Sequence, residues 1–421
     1  TNASSSAERS PVWSPDGKSI AYFSDASGEY QLVIADQDGG NKKTIVISKP
    51  TFFFKPVWSP DGKYLAYTDT DYNLRLTHID AGTTIIADTD RFAHPDRSLN
   101  PIWSPDSKWL TYVKQGENHF KQVKVYNIES KTSQAITDGM ADAISPVWDA
   151  DGKYIYFLAS TDYGLNSGWL DMSSYDRPVT RALYSVALSK STASPALPKT
   201  DEEKADIKKD SVSTTPATNG EGKDKKSDKP EVKIDFEGIQ NRIVALTEAE
   251  KDYTDLYEAP EGTVFIETSS GRQKTIIRYT VKDGKKETHV SNISYLAVSQ
   301  DKKSTLYGSS SGWGILKSSD SNKKAGDDKL DHASDIKIKI IPQDEWQQIY
   351  REGWRYQRDF LYVDNVHGAP WNDVYKWYLP WVAHVRHRSD LNYIIDILGG
   401  EVAVGHSYTR GGDAPTVPSV N

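Results

Sequence analysis

Up to about residue 341, apolar side chains come in short runs bounded by Gly, Pro, Asp and Ser; beyond it they recur every three or four residues. The first pattern predicts strands joined by tight turns, the second helices. In the first stretch, Ser19–Ser24 (SIAYFS), residues 30–35 (YQLVIA) and residues 43–47 (KTIVI) read as successive strands. With the PVWS run that precedes them, they make four strands in about 45 residues, the content of a β-propeller blade. One blade cannot bury both faces, so blades must pack in series.

The period confirms a repeat. PVWSPDGK at residue 11 returns as PVWSPDGK at 56, PIWSPDSK at 101 and PVWDADGK at 146, each start 45 residues after the last. Ser59-Pro60-Asp61-Gly62 has turn chemistry: Pro presets φ, the Asp carboxylate can accept from a nearby backbone N–H, and Gly takes a positive φ. The repeated aspartates are therefore expected to be turn residues rather than ligands or catalysts. Third strands of the second and third units fall at residues 73–76 and 122–126. The fourth unit has strands at 154–158 and 182–186, then a Lys/Asp/Glu/Ser/Thr/Pro-rich stretch at 189–230 that is expected to be a disordered insertion. The blade is expected to resume at residues 232–236. Degenerate motifs at 256–262 and 297–301 add two units, and the alternating strand 335–341 is expected to end the last. The expected fold class is an all-β propeller with six visible units, residues 1–341, followed by a small α-helical bundle.

That bundle is read over residues 342–410. Trp346, Ile349, Tyr350, Gly353, Trp354, Gln357 and Leu361 keep helical spacing, with Pro342, Asp344 and Glu345 suited to a helix start. A second helix is expected from Trp371 through Val385, with a kink at Pro380, and a third from an N-cap at Ser389 to Gly399-Gly400. Residues 411–421 read as a linker to further domains.

Composition narrows the chemistry. The net charge is −8, from 51 basic and 59 acidic residues, and there is no basic stripe, which argues against nucleic acid. No apolar run is long enough for a membrane span, and no signal-peptide pattern opens the chain. Cys is absent, which removes disulfides, thiolate catalysis and Cys-ligated zinc while fitting either cytoplasm or periplasm. Gly308-Ser309-Ser310-Ser311-Gly312 matches G-x-S-x-G but lies in a β repeat, without the strand-to-helix elbow a nucleophile needs. Four of the nine histidines are His367, His384, His387 and His406. His384 and His387, three apart, have metal-ligand spacing but no acidic third ligand, and a solvated helix face accounts for them; no metal and no cofactor are expected. His406, after the bundle, is a candidate proton acceptor with no nucleophile or carboxylate partner in sight.

The repeated WSPDG blades, the run 58–67 (WSPDGKYLAY), Ile20–Asp25 with Gly28-Glu29-Tyr30, residues 234–239 (IDFEGI) with Arg242-Ile243-Val244, and the ending Gly405-His406-Ser407-Tyr408 together resemble the tricorn protease family. The resemblance covers nearly all of the chain except the insertion. It implies that these residues are a second, seven-bladed propeller short of one blade, plus the helical domain after it, with PDZ-like and α/β domains to follow. It also implies a serine peptidase that degrades oligopeptides. The propeller would gate or channel the peptide, and His406 would be the general base for a serine in the absent C-terminal domain. A Ser stands before that His in the archaeal family member; here the position is Gly405. By the same resemblance the parent is a homo-oligomer, cytoplasmic in archaea, with a periplasmic alternative in bacteria, and these residues alone should hydrolyse nothing. The reading from another class is a non-catalytic, TolB-like propeller that binds a protein partner.

Overall fold

Each repeat motif closes the same turn. In the first, Ser14 Oγ donates to Asp16 Oδ1 at 2.6 Å, Lys18 N donates to the same oxygen at 3.1 Å, and Gly17 carries φ 70°. Ser59 to Asp61, Ser104 to Asp106 and Ser299 to Asp301 repeat the hydroxyl–carboxylate bond at 2.6, 2.6 and 2.7 Å. The bond from Ser14 holds the Asp16 carboxyl below its ordinary range. These aspartates are turn residues, as the motif predicts.

The computed structural model describes residues 6–91, 99–161, 179–195, 230–247, 253–330 and 340–412. Its antiparallel sheets are the blades of a β-propeller. The first holds β1 (Glu8–Trp13), β2 (Ser19–Ser24), β3 (Gln31–Asp36) and β4 (Lys43–Ile45). The second holds β5 (Phe53–Trp58), β6 (Tyr64–Asp69), β7 (Asn73–His78) and β8 (Thr83–Thr89). The third holds β9 (Leu99–Trp103), β10 (Trp109–Gln115), β11 (Lys121–Asn127) and β12 (Thr132–Ala135), and the fourth β13 (Asp142–Trp148), β14 (Tyr154–Ser160), β15 (Ala182–Ala187) and β16 (Ile243–Ala245). The fifth is β17 (Tyr253–Glu258), β18 (Thr263–Ser270), β19 (Gln273–Thr280) and β20 (Lys285–Ile293); the sixth is β21 (Tyr295–Val298), β22 (Ser304–Ser309) and β23 (Gly312–Lys317). The chain falls into two compact units, one holding the first two blades and the helices, the other the remaining four blades.

Within each unit the motif tryptophan joins a blade to the one before it. Trp58 Nε1 donates to Val12 O at 3.3 Å, and Trp148 Nε1 to Ile102 O at 3.1 Å. Between the first two blades Phe23, Leu32, Phe53, Leu65 and Tyr67 form a buried cluster, with Phe23 and Phe53 ring centroids 5.0 Å apart. Apolar burial of this kind is what stabilises stacked blades.

One strand expectation needs correction. Residues 232–236 do not rejoin the fourth sheet; β16 does, paired with β15. Val232, Ile234 and Phe236 instead lie extended against that blade's core. Gly238 at φ 65° then turns the chain into a short 3-10 helix, Ile239–Arg242. Arg242 fixes this detour by donating to Ala187 O at 2.9 Å, Glu237 O at 3.1 Å and Leu188 O at 3.3 Å. Among the described residues the sixth blade shows three strands. A turn after β23, with Asp320 N donating to Lys317 O at 2.9 Å, sends the chain to β24 (Lys323–Lys324), which pairs parallel to β20 of the fifth blade. Residues 196–229 of the proposed insertion, the strand expected at 335–341 (except its last two residues) and residues 413–421 of the linker lie outside the described residues.

After the strands come α1 (Pro342–Phe360), α2 (Trp371–Val382) and α3 (Arg388–Gly400). Pro342 occupies the first turn of α1, with Asp344 and Glu345 at the positive end of its dipole. The second helix, with Pro380 inside it, ends at Val382 rather than Val385, where the bonding tightens to turns: His384 N donates to Trp381 O at 2.9 Å and Val385 N to Val382 O at 3.2 Å. The third is capped by His387 rather than Ser389. His387 Nδ1 accepts from Ser389 N at 3.2 Å while the Asp390 carboxylate accepts from His387 N at 3.0 Å. This is the reciprocal pairing of a capping box, with an imidazole in place of the usual hydroxyl.

Candidate active-site segment

The helices pack through their tryptophans. Trp354 Nε1 donates to Trp371 O at 2.8 Å and Trp371 Nε1 to Trp354 O at 3.0 Å, a reciprocal pair that locks α1 to the start of α2. Tyr350, Val374, Leu391, Leu398 and Val402 fill the space between the helices. Gly353 lets α3 approach: a Cβ there would sit 2.9 Å from Ile395 Cγ2.

A polar cluster binds α1 to the first blade. Arg355 is fully buried, and its Nη1 lies 2.9 Å from Asp25 Oδ2 and 3.2 Å from Glu352 Oε2. Its Nη2 donates to Gly28 O at 2.7 Å, and the guanidinium stacks 5.1 Å from the Tyr30 ring centre. Arg358 forks onto Glu29 at 2.7 and 3.0 Å. Tyr30 Oη donates to Glu352, whose carboxyl burial pushes above the ordinary range. Asp25, Gly28, Glu29 and Tyr30, read in the sequence only as family-like residues, thus form the docking edge for α1. Nothing in their spacing pointed to Arg355, which follows them by more than 300 positions.

The candidate histidines part company here. His367 Nε2 pairs with Tyr362 Oη at 2.8 Å and its Nδ1 with Val402 O at 3.2 Å. His387 caps α3, and His384 is exposed one turn past α2. Among the described residues no group of three or more His, Asp or Glu could hold a metal ion. Ser309 and Ser311 sit at the tip of the β22–β23 hairpin, bonded to each other at 2.8 Å, so the G-x-S-x-G match is a turn.

His406 is different. It is exposed, its backbone is left-handed at φ 68°, and its ring meets Tyr408 edge-on at 6.2 Å. A non-glycine residue at such a φ is uncommon and has to be held there by its surroundings. The residues that follow it are tied down. Gln357 Nε2, near the end of α1, donates to Ser407 Oγ at 3.0 Å, and Thr409 N donates to Asp396 Oδ1 of α3 at 2.7 Å. Asn392 Nδ2 donates to Gly411 O at 2.9 Å. Gly405, by contrast, has nothing within 4 Å of where a Cβ would stand. The sequence placed Gln357 only as one more residue on a helical stripe, and Asp396 carried no signal.

Comparison with known proteins agrees with this architecture. The model of the tricorn protease second beta propeller domain matches residues 1–319, and that of the tricorn protease C1 domain matches residues 342–400. A tricorn protease homolog of Saccharolobus solfataricus is 24% identical over 324 residues, covering 71% of this chain and 27% of the relative. The tricorn protease of Thermoplasma acidophilum is 24% identical over 308 residues, 71% of this chain and 27% of that protein. The crystal structure of the tricorn protease superposes with a TM-score of 0.73 at 17% identity, covering 95% of this chain and 38% of that one. The chain therefore spans less than half the length of each of these proteins. With a propeller model matching well over half of its residues and the helical model following directly, the chain belongs to the tricorn protease family.

Proposed function

We propose that these residues are the propeller and helical part of a serine peptidase that degrades oligopeptides, and that His406 is its general base. The observation that carries the proposal is the placement of His406. It is an exposed imidazole on a left-handed backbone, just past the helices that match the family's C1 domain. An accessible His on a rigid support is what a nucleophile borne on another domain needs. In this reading the serine lies outside the 421 residues. As its oxygen attacks the scissile carbonyl, the proton passes to His406, which then returns it to the leaving amine so that the bond can break. The propeller, which carries no catalytic group in this scheme, gates or channels the peptide toward that site. The relatives' names support a protease parent; the assembly of several copies and a cytoplasmic setting are part of the same proposal.

The test is a longer protein that includes the downstream domains. His406→Ala is expected to lower peptide turnover by roughly a thousandfold or more, as loss of a triad member does. It should also abolish labelling of the serine by a fluorophosphonate. Turnover and labelling equal to wild type would reject His406 as the base.

A further inference from the structure

We infer that Gln357 and Asp396 are positioning residues that act through Ser407 and Thr409, holding the backbone of His406 in its left-handed conformation and so setting the direction of its imidazole. The inference rests on the reading of His406 as general base, but it is built from separate observations. A left-handed φ on a residue with a Cβ costs about 1 kcal/mol or more. His406 has no burial to offset that cost, and among the described residues no protein group bonds its ring nitrogens; its ring contact is with Tyr408 alone. The conformation must therefore be imposed through the chain. Ser407 is half-buried between exposed neighbours, its Oγ bonded to Gln357 Nε2 at 3.0 Å. Three residues after His406, the Thr409 N–H is held by Asp396 Oδ1 at 2.7 Å. Four residues before it, Val402 is buried in the helical core. The segment is pinned on both sides of the histidine, and the histidine takes up the turn between the pins.

The fit around Ser407 is close. A Cβ on Gly399 would lie 2.7 Å from Ser407 Oγ, so α3 makes room for the hydroxyl with a glycine, and Gln357 approaches from α1. Helix α1 is in turn held to the first blade by Arg355 and Arg358. A continuous set of contacts runs from Asp25 in the blade, through α1 and Gln357, to the residue next to His406. The neighbour before the histidine, Gly405, has no side chain to contribute, so orientation falls to the neighbour after it.

The experiment has two arms on the same variants: Gln357→Leu, Ser407→Ala, the double variant, Asp396→Ala and His406→Ala. In the 421-residue protein, labelled imidazole groups are followed by NMR, with His406→Ala assigning the signal. Gln357→Leu, Ser407→Ala and Asp396→Ala should each move and broaden the His406 signal, leave those of buried His289 and of His367 in place, and speed tryptic cleavage after Arg410. In the longer protein with its serine domain, Gln357→Leu should lower kcat roughly 10- to 100-fold with little change in KM, the size expected of a misplaced catalytic group. Ser407→Ala should do the same, and the double variant should lose no more than either single one. If His406→Ala abolishes activity while Gln357→Leu and Ser407→Ala leave both kcat and the His406 signal unchanged, the positioning role is overturned and the general base stands. If His406→Ala is fully active, the general base is rejected and with it any catalytic purpose for Gln357, whatever the signal does.

Discussion

Arg355 and Asp25, 330 positions apart in the chain, form a buried ion pair with Nη1 2.9 Å from Oδ2 and both side chains almost wholly out of water. Arg355 Nε has no hydrogen-bond partner and lies 3.7 Å from Glu29 Oε2. Removing one partner of such a pair leaves an uncompensated buried charge, which costs about 3–5 kcal/mol. Asp25→Leu or Arg355→Met alone should destabilise the protein by that amount in urea unfolding monitored by tryptophan fluorescence. The double variant Asp25→Leu/Arg355→Met should lose less than the sum of the two single losses, because neither charge of the pair is then left facing an apolar group. A loss in the double variant equal to the sum of the two single losses would mean that the pair is not energetically coupled.

The fourth motif carries its own pH dependence. Asp149 stands where Ser14, Ser59, Ser104 and Ser299 stand in other turns, facing Asp151. Burial, then the Asp151 carboxylate, pushes its carboxyl up to about 7, and Tyr156 Oη donates to it at 3.2 Å. The folded state thus holds a proton that an unfolded Asp releases near pH 4. Stability from this group is present on the acid side and is lost as pH rises from about 4 through about 7. Asp149→Ser restores the motif's hydroxyl and should raise the urea midpoint more at pH 8 than at pH 5. A gain that is the same at both values would exclude titration of Asp149.

The imidazole cap of α3 can be separated from the hydroxyl beside it. His387→Ala removes both the acceptor for Ser389 N and the bond to Ser389 Oγ at 2.8 Å, and should cost about 1 kcal/mol. Ser389→Ala leaves the cap in place and should cost less than half as much. The reverse order in thermal unfolding would return the N-cap to Ser389.

Gly399→Ala tests the space around Ser407. The added Cβ forces Ser407 Oγ to move from a 2.7 Å approach, breaking the bond to Gln357. Ala is also favoured over Gly in a helix by about 1 kcal/mol, so Tm should change little. The His406 NMR signal, however, should shift as it does in Ser407→Ala. An unmoved signal would mean that the segment tolerates displacement of the serine.

Gly405→Ser is expected to be silent in stability, within about 0.5 kcal/mol, since the site is open and the backbone there is not in the glycine-only region. A larger loss in urea unfolding would show that Gly405 has a contact of its own.

How much was legible in the sequence follows from range. The turn from Ser14 to Lys18 is made by groups within five residues, so its chemistry reads directly from the letters SPDGK. The helix Pro342–Phe360 was equally legible, because a helix is specified by spacing over a single stretch. Residues 232–236 misled because alternating apolar residues mark a chain that packs on a blade as well as one that joins its ladder. Strand pairing depends on a partner, and Arg242 and Gly238 decided where that partner would be. Ser389 misled for a local reason: hydroxyls are the common caps, and here an imidazole two residues earlier took the place.

By itself, the sequence determined the repeat, its turns, the change from strands to helices near residue 341 and the histidine that ends the chain's helical part. All of these depend on neighbours within a turn or on a period that survives along the chain. Only the tertiary structure decided that Asp25 meets Arg355 and that Gln357 reaches Ser407, 50 positions on. Only it showed His406 exposed on a left-handed backbone between two anchored residues. Contacts at such separations leave no periodic trace, because each is made once, by two side chains whose meeting depends on the packing of everything between them.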